Sequence, residues 1–110
     1  MLEKFENIGK LYDNYSILLN EKHKEVLDLY YFQDFSLSEI SEILNISRQG
    51  IHDLLKRAEN NLEKFEEKLR LIDKNKMILL ELNKIKYSLN KEKINQDELV
   101  SIIDRLIDSL

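Results

Sequence analysis

Large apolar residues recur along the chain at spacings of three and four and never alternate over the length of a strand, a pattern that predicts helices nearly throughout. Phe5, Ile8, Tyr12, Tyr15 and Leu19 form the first stripe. Asn20 is placed to cap a second helix from Glu21 to about Phe32, with Val26, Leu27, Leu29 and Tyr30 directed inward. After a short link, Ser36 and Glu39 make an S-x-x-E capping box, flanked by Phe35 and Ile40 as a hydrophobic staple, and the helix they open runs to Leu44. Asn45 then occupies a turn position that asks for left-handed backbone, where asparagine is the best non-glycine residue.

Ser47 caps the next helix, again between staple residues, Ile46 and Ile51. Its apolar positions, Ile51, Leu55, Ala58, Leu62, Phe65, Leu69 and Ile72, keep a heptad-like spacing and predict one long helix with a packable seam. The seam is lost around residues 73–75, where Asp73 is expected to restart a helix carrying Ile78, Leu82, Ile85 and Leu89. Asn95 with Glu98 signals a last helix, with Leu99, Ile102, Ile103, Leu106 and Leu110 inside. The chain therefore divides into a helix-turn-helix domain over 1–70 and a helical hairpin over 71–110, expected to serve dimerisation or packing.

Composition agrees with an all-α domain: 13 Ile and 20 Leu supply a core, and the 110 residues include no proline, no cysteine and two glycines. Without cysteine there are no disulfides, thiolate metal sites or thiol nucleophiles. The longest apolar run, Met77 to Leu80, is far short of a membrane span, and the charged start Met1-Leu2-Glu3-Lys4 lacks the apolar stretch of a secretory signal. A cytoplasmic protein with no membrane insertion is expected.

Two helices joined by a turn of about four residues, the first short and the second capped and longer, are the geometry of a helix-turn-helix reader. Ile40, Leu44, Ile46, Ile51 and Leu54 fill the positions that lock the two helices, and Ser41 is the small residue where they approach. The stretch Leu19-Asn20-Glu21 to Val26-Leu27, with Tyr30-Tyr31-Phe32, Leu37-Ser38-Glu39-Ile40, Ser47-Arg48-Gln49 and Lys56-Arg57-Ala58, resembles region 4 of sigma-70-family factors. Leu11-Tyr12-Asp13-Asn14-Tyr15, Phe35-Ser36-Leu37-Ser38-Glu39-Ile40 and Ser47-Arg48-Gln49-Gly50-Ile51-His52-Asp53 resemble, more closely, the YlxM family of small bacterial helix-turn-helix proteins. The resemblance implies a sigma region 4-like helix-turn-helix bundle with a long helix and a C-terminal helical extension. It also implies a DNA-binding regulator of transcription that takes part in, or regulates, the signal recognition particle pathway, with a component of that particle or its RNA as a partner.

In a groove-binding pose the N-terminal turn of the second helix of the motif lies nearest the bases. Ser47, Arg48, Gln49 and His52 face outward there: Arg48 can bond guanine bidentately, Gln49 can bond adenine, and the backbone around Ser47 offers N–H groups to a phosphate. Lys56 and Arg57 lie farther along and suit backbone phosphates. Charge pulls the other way. The chain carries a net −4, and Asp53, within a turn of the reading face, would repel phosphate. This opens a second reading, a protein or RNA interaction adaptor on the same fold.

Other chemistry has little support. His23 and His52 stand without companions at ligand spacing, Gly9 and Gly50 make no phosphate loop, and the carboxylates alternate with lysines as on a solvated helix, so no enzyme, cofactor or metal is expected. Tyr30, Tyr31, Phe32 and Phe35 read as core rather than as a base-stacking platform. The one basic stretch, Lys74 to Lys93, holds six lysines against two glutamates. It reads as a solvated face, with RNA or an acidic protein as the sharper alternative. The surplus of apolar stripe beyond Leu62 favours a homodimer.

Overall fold

The computed structural model describes residues 2–110. Six α-helices follow one another: α1 Leu2–Tyr15, α2 Glu21–Leu27, α3 Leu37–Leu44, α4 Arg48–Leu69, α5 Leu71–Leu89 and α6 Gln96–Ser109. A 3₁₀ turn, Ser16–Leu18, leaves α1, and a π-helical turn, Asp28–Phe32, continues α2. The described residues contain no strand. They form two compact units, one running to Ile72 and the other Asp73–Leu110.

The core of the first unit is built by α1, α2, α3 and α4. Ile8, Leu11, Tyr15, Leu19, Val26, Leu27, Ile40, Ile51, Leu55, Ala58 and Leu62 are buried together. The α1 stripe is thus turned from the expected one: Leu11 is inside, Tyr12 is half-buried, and Phe5 is partly exposed with its ring 5.1 Å from Tyr31. The π-helical turn accounts for a second difference. Its wider hydrogen-bond spacing, Gln33 N–H to Asp28 C=O at 2.9 Å, displaces the helical phase, so that Tyr31 is buried while Leu29 and Tyr30 are only half-buried. Phe32 lies 47% exposed against the Tyr12 ring.

The helix-turn-helix forms as the caps dictate. Ser36 Oγ accepts from Glu39 N–H at 3.1 Å while the Glu39 carboxylate accepts from Ser36 N–H at 3.0 Å. Asn45 takes left-handed backbone (φ 54°, ψ 44°), and Ser41 holds the turn by donating its hydroxyl to Ile46 C=O and accepting Ile46 N–H on its own carbonyl at 3.2 Å. Gly50 is required by close approach, since a Cβ there would sit 2.7 Å from Ile46 Cγ2.

The long helix ends earlier than its heptads predict. Arg70 adopts φ 53°, so α4 stops at Leu69 and α5 begins at Leu71, ahead of the expected restart at Asp73. The reason is tertiary. Tyr15 Oη donates to Glu66 Oε1 at 2.6 Å and accepts Leu71 N–H at 2.9 Å, and Glu66 Oε1 also accepts Ile72 N–H at 3.0 Å. A side chain of α1 and one of α4 thereby satisfy the first donors of α5, the role a local cap would otherwise fill. Glu66, read from sequence as a solvated charge, is half-buried in this arrangement.

In the second unit α5 and α6 form a hairpin, with Asn95 Oδ1 accepting Glu98 N–H at 3.1 Å. Ile102 is 2% and Ser88 3% exposed, with Ile78, Glu81, Ile85, Leu99 and Leu106 half-buried. The expected inner residues Leu82, Leu89, Ile103 and Leu110 are exposed instead. Glu81 takes a seam position, where its carboxylate is bonded by Arg105 Nη2 at 3.1 Å and Lys84 Nζ at 3.4 Å. No helix of the described residues is long and apolar enough to cross a membrane.

Candidate nucleic-acid interface

The first two turns of α4 set the site. Ser47 caps the helix, its Oγ accepting Gly50 N–H at 3.0 Å, so its hydroxyl serves the backbone. One helical step on, Arg48, Gln49 and His52 are exposed and, with Leu37 of α3, line an open cleft of about 370 Å³. A smaller hollow of about 130 Å³ adjoins it, sharing Leu37 and His52 and bounded by Lys4, Tyr30, Tyr31 and Lys56. At 3.6 residues per turn Arg48, His52 and Lys56 form one ridge, i, i+4 and i+8, running from the cleft into the hollow.

Arg57 does not join them. It is exposed on another side of α4, where its charge acts on His23 of α2. Burial, then that guanidinium, holds His23 below its ordinary value, and its Nδ1 stands 3.4 Å from Asn61 Nδ2.

Asp53 acts on two of these exposed side chains directly. Its Oδ1 accepts from Gln49 Nε2 at 3.1 Å and lies 3.7 Å from His52 Nδ1. The amide that would read adenine is therefore tied to its own helix, and a carboxylate sits beside the imidazole.

Residues that local reasoning passed over complete the hollow. Lys4 arrives from α1, with Nζ 3.8 Å from Glu59 Oε1. Glu59 is 8% exposed and accepts the hydroxyl of Tyr31, whose own ionisation is pushed upward by burial and by that carboxylate. Lys4 and Lys56 are far apart in the chain, so only the packing of α1 on α4 brings them to one wall. Glu59 carried one signal in the sequence: it follows Ala58 on the seam side of α4. Among the described residues, no group of three or more histidine, cysteine or acidic residues could hold a metal ion.

Arg48, Gln49, His52 and Lys56 thus combine a fork of planar donors, an amide, an imidazole and an ammonium on one capped helix. Such a set can bond base edges and phosphates, and Asp53 opposes the second.

Comparison with known proteins places this arrangement in a family. Residues 2–104 match the family model described as "Putative helix-turn-helix protein, YlxM / p13 like", UPF0122. A UPF0122 protein of Thermoanaerobacter sp. (strain X514) is 47% identical over 98 residues, covering 87% of this chain and 84% of that protein. Another, from Halalkalibacterium halodurans, is 39% identical over 106 residues, covering 96% of each. One from Bacillus licheniformis is 44% identical over 105 residues, covering 96% of this chain and 94% of its own. With the all-α architecture and the capped α3–turn–α4 pair, these matches establish that the chain belongs to the UPF0122 family of YlxM / p13-like helix-turn-helix proteins.

Proposed function

We propose that the protein is a sequence-selective, duplex DNA-binding regulator that presents the N-terminal half of α4 to the major groove. The observation that carries this reading is the ridge of Arg48, His52 and Lys56 beside Gln49, exposed on a helix whose orientation is fixed by the Ser36 and Ser47 caps and by the left-handed Asn45. Arg48 bonds a guanine edge, Gln49 an adenine once it leaves Asp53, and Lys56 a phosphate; Ser47 contributes its helix-terminal backbone. Participation in, or regulation of, the signal recognition particle pathway belongs to the proposal as an expectation brought by the YlxM resemblance, as does a cytoplasmic location.

The bond from Gln49 to Asp53 favours a second reading, an adaptor that binds a protein or RNA through the same face. Selection from a randomised duplex library separates the two. A regulator enriches a common site, and the paired change Arg48→Ala and Gln49→Ala abolishes the enrichment. Failure to enrich any site supports the adaptor.

A further inference from the structure

We infer that the α5–α6 hairpin is the self-association surface of the protein, in which α5 of one copy lies against α6 of a second copy. The hairpin's internal seam uses one stripe of each helix, centred on Ile78 and Ile85 and on Ile102 and Leu106. A second stripe follows on the same side of each seam: Leu82 and Leu89 on α5, Val100, Ile103, Ile107 and Leu110 on α6, all between 44% and 97% exposed. In an antiparallel pair of right-handed helices, residues rotated in the same sense from the seam come to one face of the hairpin. Exposed Arg105, which reaches Glu81 in the seam of α5, lies on the opposite flank of α6, in keeping with this.

A second copy of this chain fits that face for two reasons. The six side chains together expose on the order of 600 Å², against about 800 Å² contributed by each partner in a standard-sized interface. The rims of the face also differ in sign: α5 borders it with exposed Lys86 and, farther round, Lys76, whereas α6 borders it with exposed Asp104 and, farther round, Asp97. A two-fold axis parallel to the helices sets each α5 over the partner's α6, and lysine rim meets aspartate rim. An axis across the helices would set lysines over lysines. Taking the Glu81–Arg105 bond as the axial register, Lys86 falls between the levels of Asp97 and Asp104. The face thus reads itself, and the inference stands independently of what α4 binds.

Sedimentation equilibrium of the full chain tests it. The expected mass is twice 13.2 kDa at micromolar concentration. Ile103→Glu, at an exposed position, leaves the helical circular dichroism intact and raises the dimer dissociation constant about a hundredfold or more, since two charges would be buried. Lys86→Glu and Asp104→Lys each weaken association a few-fold, and their combination restores it. A wild-type chain that stays monomeric at ~100 μM, far above the range of stable dimers, overturns the inference and assigns the face to another protein. So does a dimer indifferent to Ile103→Glu. Tighter association of Lys86→Glu alone would refute the α5-on-α6 pairing.

Discussion

The hydroxyl of Tyr15 on α1 donates to Glu66 of α4 at 2.6 Å and accepts the N–H of Leu71, the first residue of α5, at 2.9 Å. The ring is fully buried, 6.1 Å from Phe65. One oxygen therefore joins three helices and fixes where the long helix ends. Tyr15→Phe keeps the packing and deletes both bonds, and is expected to lower unfolding free energy by about 1–3 kcal/mol. Urea denaturation checks this through a reduced midpoint with an unchanged slope. A variant as stable as the parent would show that the bonds do not hold the break.

His23 makes stability depend on pH. Burial, with the charge of Arg57 second, sets its folded value below the 6.5 of the free side chain. Between that lowered value and 6.5 the unfolded chain binds the proton and the native chain does not, so stability rises with pH. The contribution is complete above the unfolded value and is lost as pH falls through the window. Urea midpoints at about pH 5 and about pH 7.5 should differ in this direction, and His23→Gln should narrow the difference.

Ser36→Ala removes the acceptor for Glu39 N–H and is expected to cost about 1 kcal/mol, the usual magnitude for an N-cap. The backbone N–H of Ser36, then its hydroxyl, holds the Glu39 carboxyl below its ordinary range, so its contribution is present above pH 4.5 and fades as pH falls through the folded value. Thermal melts of the variant and the parent at neutral pH measure the loss of the cap.

On the proposed DNA-binding reading, Asp53 is the residue whose removal should improve duplex binding. Asp53→Asn deletes a negative charge within the reading face and loosens the hold on Gln49. Duplex affinity at low salt is expected to rise about three- to tenfold, the scale of one charge near a phosphate in water. Titrations of parent and variant against the same duplex decide it, and weaker binding by Asp53→Asn would mean that the carboxylate organises the face.

The local signals in the sequence were sufficient wherever a structural decision is local. The Ser36–Glu39 box, the left-handed Asn45, and the Ser47 and Asn95 caps each form at the predicted position because their partners lie within a turn. The departures occur where a partner is distant or the backbone departs from 3.6 residues per turn. Heptads carried the predicted helix past Arg70 because nothing within reach of Arg70 announces Tyr15. The π-helical turn exchanged Tyr30 for Tyr31, and the α5 seam runs through Glu81 and the small, buried Ser88 beside Ile78 and Ile85, leaving Leu82 and Leu89 outside. The candidate site behaved likewise: the ridge of Arg48, His52 and Lys56 is a matter of i, i+4 spacing, whereas Lys4 and the buried Glu59 enter through tertiary packing.

The claim that α4 reads duplex DNA is tested most directly by fluorescence anisotropy of a labelled duplex across a salt series. With about three phosphate contacts per chain, binding at low salt is expected to weaken with a log–log slope of about −3 for one chain, or about −6 for a pair engaged together. Arg48→Ala should reduce the affinity by about 1–3 kcal/mol and flatten the preference among sequences. The absence of duplex binding at the lowest salt, or binding that Arg48→Ala and Lys56→Ala leave unchanged, would contradict it.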